Sequence, residues 1–151
     1  MSNGKFFQKK GDYKDNESKD LTVKTLKDKI ERFQTEGLSK ISGNELVEVA
    51  REMGHHLKEK NLKTTQIRRF LDGMRKLDVQ FNKGKNFSGD EVVLLKPRLA
   101  YAAGRNNEVK PLMEVLEPAI TAGCKTYKDF RKLLSFVEAI VAYHKYFGGN
   151  D

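Results

Sequence analysis

Cysteine occurs once in this chain of 151 residues, at Cys124, and tryptophan is absent. A single thiol closes no internal disulfide and offers no cysteine set for zinc. The chain therefore reads as a protein of a reducing cytoplasm, with Cys124 as a small buried hydrophobe. No apolar run approaches the ~18 residues of a membrane-crossing helix, so no membrane partner is expected. The opening stretch MSNGKFFQKKGDYKDNESKD has no apolar h-region and no small-residue cleavage site, so it does not read as a secretory signal. Enzyme signatures are missing too. There is no Walker-type glycine loop, no H-E-x-x-H, no G-x-S-x-G and no carboxylate pair that stands out for acid–base work. His55 and His56 are helix neighbours about 100° apart and cannot chelate one ion together. The chain reads as a non-enzyme with no metal and no cofactor.

What is present is positive charge, unevenly spread. The chain carries 29 Lys and Arg against 21 Asp and Glu, a net +8. Residues 1–59 hold 12 basic and 11 acidic side chains, and residues 60–151 hold 17 and 10. An excess confined to one half points to a polyanionic partner, nucleic acid before an anionic membrane.

The polar, aliphatic-poor residues 1–19 read as a disordered tail with Phe6, Phe7 and Tyr13 as its only sticky groups. Residues 20–151 read as one all-α domain, a compact bundle of about five to six helices. Val23, Leu26, Ile30 and Phe33 form the first apolar stripe, with Gly37 just beyond it. The second is Leu46, Ala50, Met53 and Leu57, opened by the capping box Ser42-Gly-Asn-Glu45. A third helix starts near Thr64 or Thr65 and buries Ile67, Phe70, Leu71, Met74, Leu77 and Phe81. Ser88-Gly-Asp-Glu91 opens a fourth, which Pro97 should kink or restart and Gly104 should stop. A fifth, with Val109, Leu112, Met113 and Leu116, is expected to be interrupted by Pro118 and to end by Gly123. Thr126 caps the last, whose stripe runs from Phe130 to His144 and stops at Gly148-Gly149. No stretch alternates with period two for long enough to make a strand, and no repeat of solenoid length is present.

On the third helix, Arg68, Arg69, Arg75 and Lys76 fall opposite the apolar stripe and bracket Asp72. Such a face suits a phosphate backbone; the bland account is that Asp72 neutralises Arg68 and Lys76 at i,i+4. In LLKPRLAYAAGR, residues 94–105, Lys96, Arg98 and Arg105 surround Tyr101. Arg98, Tyr101 and Arg105 step by three and four, in a register that depends on where the helix ends.

These stretches carry a family resemblance. LKTTQIRRFLDGMRKL (62–77), VVLLKPRLAYAAGR (92–105) and DFRKLLSFVEAIVAYHKYFGG (129–149) resemble the small α-helical subunit of the type III-A CRISPR effector, the Csm complex, in the right order over residues 40–149. The resemblance implies a helical protein without catalysis of its own. Several copies would stack along an RNA–protein filament, beside backbone subunits and below a large signature subunit, and contact guide RNA and target RNA through their backbones. It implies phosphate-neutralising roles for Arg68, Arg69, Arg75, Lys76, Lys96, Arg98 and Arg105, with Lys63 and Lys60 as weaker candidates. Tyr101, Tyr143, Tyr146 and Phe147 could stack on bases, although packing or subunit contact suits them better. Two rivals are weighed against this reading. One is a basic helical scaffold. The other is a helix-turn-helix-like DNA-binding regulator, disfavoured because no tight helix pair with a three- or four-residue turn is evident before a recognition helix.

Overall fold

The computed structural model describes residues 21–84 and 86–151; the tail expected over 1–19 lies outside them. The described residues are helical, with no strand. Helix α1 covers 21–31, followed by α2 (Gly43–Glu59), α3 (Thr64–Asn82), α4 (Gly89–Val93), α5 (Leu95–Arg105), α6 (Lys110–Gly123) and α7 (Tyr127–Tyr146). Single 3-10 turns precede α2 and α6.

Helix α7 is the hub. It packs most extensively on α2, then on α3 and α6, while α5 packs on α6 and α3. The expected stripe supplies Phe130, Leu133, Leu134, Val137 and Ile140 to the core, with Phe136 added and Val141 half-buried. Their burial contributes a gross ~10–18 kcal/mol before chain entropy. His144 closes the stripe with 0% exposure. Its Nε2 lies 2.7 Å from the Leu62 carbonyl, an acceptor, so that nitrogen carries the proton and donates. Nδ1 then accepts from the Thr64 hydroxyl at 3.0 Å. Burial holds the imidazole pKa below its usual 6.5, against the opposing pull of the Leu62 bond. The α2–α3 turn and the end of α7 are tied together by this one side chain.

Local capping chemistry sets the helix starts. Ser42 Oγ accepts the Glu45 amide at 3.1 Å, and Ser88 Oγ accepts that of Glu91 at 3.4 Å. At Ser42 the box is half-made, because the Glu45 carboxylate binds Arg32. Thr126 and Asp129 complete theirs, and Asp129 also accepts the Ser39 amide at 2.8 Å. Gly37, at φ 105°, makes room for that carboxylate: a Cβ there would stand 2.6 Å from it.

Four expectations change. Pro118 does not interrupt α6, which runs unbroken to Gly123; the buried proline ring offsets its missing donor by packing in the core. Gly104 does not stop α5, which continues through Arg105 to an Asn106 cap. Cys124 is half-buried rather than buried, its Sγ 3.2 Å from the Thr121 carbonyl. A tight helix pair also exists: only residues 60–63 separate α2 from α3, with Asn61 at φ 63°. Helix α3 nevertheless packs chiefly on α7 and α5, so this turn does not project it as a free recognition helix.

The expected restart at Pro97 is present, three residues before the proline. Leu94 separates α4 from α5, which puts Pro97 in the first turn of α5. A proline at this point lacks only a donor that a helix start leaves unpaired.

Candidate nucleic-acid interface

Helix α3 buries Ile67, Leu71, Met74 and Phe81, and its polar arc falls on two shoulders. Arg68, Asp72 and Arg75 share the shoulder toward α7. There Arg75 lies 3.8 Å from Asp72 and 3.9 Å from Glu138, and Arg68 lies 3.9 Å from Asp151. The pairing differs from the i,i+4 scheme expected, in which Asp72 served Arg68 and Lys76. All of these side chains are exposed, so each pair contributes ~0–1 kcal/mol.

Arg69 and Lys76 lie on the other shoulder, facing α5. Two concavities run there in sequence. The first, a cleft of ≈ 330 Å³, holds Arg69, Arg98 and Arg105 around Tyr101. The second, of ≈ 260 Å³, continues past Gly73 with Lys76 and Gln80, and Arg98 lines both. The continuation of α5 through Arg105 settles the register of Arg98, Tyr101 and Arg105, with the Arg105 guanidinium 5.8 Å from the Tyr101 ring. None of Arg69, Lys76, Arg98 and Arg105 has an ion-pair partner among the described residues. Among the described residues, no carboxylate lines the first cleft, and Glu91 is the one lining the second.

The nine expected cations thus separate into groups. Four share the α3–α5 groove, and Arg68 and Arg75 flank it across the α3 ridge. Lys96 turns away, its half-buried Nζ donating to Thr121 Oγ1 on α6 at 2.7 Å. Lys63 is exposed at the N-cap of α3, where its amide donates to Gln66 Oε1 at 3.2 Å. Lys60 lines a separate concavity with His56, Lys110 and Glu114. Sequence reasoning missed Gly73, which lines the groove against Arg98. A Cβ at Gly73 would stand 2.7 Å from Arg98 Nη1, so the guanidinium occupies the place of a side chain. A lone glycine inside a strong helical pattern was the available signal.

Some cations elsewhere are held by carboxylates, while others, such as Arg51, Lys128 and Lys132, have no ion pair among the described residues. Arg131 donates to Asp78 at 2.7 Å, and Arg32 binds Glu45. No group of His, Cys, Asp and Glu that could hold a metal occurs among the described residues. His55 is exposed 3.5 Å from Glu59, and His56 is buried. No described helix is long and apolar enough to cross a membrane.

Fold and groove together define a small basic helical protein in which four cations without ion-pair partners among the described residues share one groove. The family described as Csm2 Type III-A matches residues 40–150. A relative named CRISPR system Cms protein Csm2, from Streptococcus thermophilus, is 33% identical over 97 residues, covering 60% of this chain and 76% of its own. The chain belongs to the type III-A Csm2 family, and it is a small subunit of the multi-subunit Csm CRISPR complex.

Proposed function

We propose that this subunit is non-catalytic and binds RNA through its backbone, laying the α3–α5 groove against the guide RNA–target RNA duplex. Copies of the chain stack along the cytoplasmic effector filament beside the backbone subunits and the large signature subunit. The observation that carries this reading is the convergence of Arg69, Lys76, Arg98 and Arg105 on one groove, without ion-pair partners among the described residues. Guanidinium forks match phosphate oxygens, and such contacts position RNA without reading its sequence. Arg68 and Arg75 form an outer, partly neutralised flank, Lys63 and Lys60 make smaller contributions, and Lys96, turned to Thr121 on α6, makes none.

One copy offering ~3 phosphate contacts binds weakly, and on a single strand a fourfold rise in salt lowers its affinity roughly 20-fold. Stacked copies recover affinity through effective concentration. The test is capture of target RNA by the assembled complex across a salt series. Arg69→Ala with Arg98→Ala is expected to weaken capture and flatten its salt dependence, with a smaller effect from Arg68→Ala with Arg75→Ala. Unchanged capture by the first pair at every salt concentration would refute the groove as the RNA surface.

A further inference from the structure

Phosphates need donors, but they do not need an apolar floor, and the first cleft has one. Leu62, Phe70, Leu99 and Leu112 line it beneath the three arginines. Its ≈ 330 Å³ lies at the small end of ligand pockets, which run from about 300 to 1,000 Å³. That space suits one planar ring system and excludes a helix or a strand. Around the rim stand Gln66 and Asn106, whose amides can both donate and accept. Tyr101 stands beside them with 68% of its surface exposed. Flat faces, a polar edge and flanking negative charge are what this combination would recognise, and in RNA the part with those properties is a nucleotide whose base has left its stack.

We propose that the α3–α5 cleft is a nucleobase subsite, in which one unstacked base of bound RNA enters over the apolar floor against Tyr101. Its neighbouring phosphates lie on Arg69, Arg98 and Arg105. The side-chain amides can meet the edge of any base, so the subsite distinguishes a base from no base and not one sequence from another. This inference rests on the RNA reading above and adds to it the part of the RNA that is held.

The test compares the full-length chain at low salt with two single strands of equal length, oligouridylate and an abasic ribose-phosphate strand. Their phosphates are equal in number, so backbone contacts cancel. The base-bearing strand should bind about tenfold more tightly, the size of one stacked base. Ala102 lines the cleft and is half-buried; Ala102→Phe fills the cleft without touching a charge and should bring oligouridylate down to the abasic level. Tyr101→Leu, on an exposed side chain that leaves the core alone, should remove most of the same preference. Equal affinity of the wild-type chain for both strands would overturn the subsite. So would a preference that survives both variants, because the bases would then be stacking elsewhere, as on the exposed Tyr146. Failure of both strands to bind the wild-type chain would overturn the RNA reading itself, and this one with it.

Discussion

Two glycine-to-alanine substitutions should have opposite signs, and the reason lies in what each glycine faces. Gly54 sits inside α2 at its crossing with α7. A Cβ there would stand 2.7 Å from the His144 amide nitrogen and 2.9 Å from Tyr143 Cβ. Helix propensity alone favours alanine by ~1 kcal/mol. The obstacle, however, includes backbone, which cannot move aside by changing rotamer. Ordinary contact distances of ~3.5–4.0 Å require α2 and α7 to separate by roughly 1 Å at the most extensive helix contact in the protein. Overpacking costs ~1–3 kcal/mol and sometimes more, so Gly54→Ala should destabilise by up to ~2 kcal/mol net of the propensity gain. Gly104 lies in α5 with helical backbone and nothing within 4 Å of an added Cβ. Here the propensity gain stands alone, and Gly104→Ala should stabilise by up to ~1 kcal/mol, less for a position next to the helix end. Urea and thermal denaturation followed by circular dichroism read both changes; ~1 kcal/mol corresponds to ~2–4 °C in Tm for a chain of this size. Stabilisation by Gly54→Ala would refute the close approach of α2 and α7. Destabilisation by Gly104→Ala would refute the helical, open environment assigned to the end of α5.

The buried His144 predicts a specific pH dependence. Its folded pKa lies below 6.5, so both states are neutral above that value and the folded protein keeps its full stability there. As pH falls through 6.5 the unfolded chain takes up the proton first, and stability is lost until the folded pKa is reached. Melting temperature should therefore fall between pH 7 and pH 5.5 more steeply for the wild-type chain than for His144→Gln, which retains His55 and His56; equal slopes would refute the assignment. Lys96 supplies a test of direction on α5, since its ammonium points to Thr121 and not into the groove. Lys96→Met should leave RNA capture and its salt dependence unchanged, whereas Arg98→Ala should remove ~0.7 from the log–log salt slope on single strands. An equal loss in both variants would contradict the placement of Lys96.

What could be read from the sequence was what neighbouring residues decide among themselves. The starts of α2, α4 and α7 were legible because a hydroxyl three residues before an amide is a local fact, borne out at Ser42, Ser88 and Thr126. Apolar stripes on α3 and α7 were legible for the same reason. Pro118 was misread because burial, which offsets its missing donor, depends on distant chain. Gly104 was misread because a glycine favours a stop without compelling one. The split among the α3 cations required knowing that α5 lies on one side and α7 on the other. Periodicity fixes the angles between Arg68 and Arg69; it does not name their neighbours. Gly73 illustrates the same limit, since its role depends on Arg98, 25 positions further along the chain.

The distribution of carboxylates gives the surface its direction. Asp72, Glu138 and Asp151 lie by Arg68 and Arg75 on the α7 side of the ridge, so that shoulder is close to neutral. Across the ridge, Arg69, Arg98 and Arg105 repel one another around a cleft without a carboxylate. Charges of one sign gathered in a concavity oppose folding of the free chain and raise the field at its mouth. Evenly spread charge would offer a polyanion many weak orientations. Here the ridge of α3 separates a screened flank from a groove whose first cleft holds no carboxylate among the described residues, and at Gly73 the Arg98 guanidinium lies where a side chain would otherwise stand. On the proposed reading, a strand of phosphates would lie between α3 and α5, above the apolar floor. The restart at Leu94 leaves Arg98 and Arg105 on one face of α5.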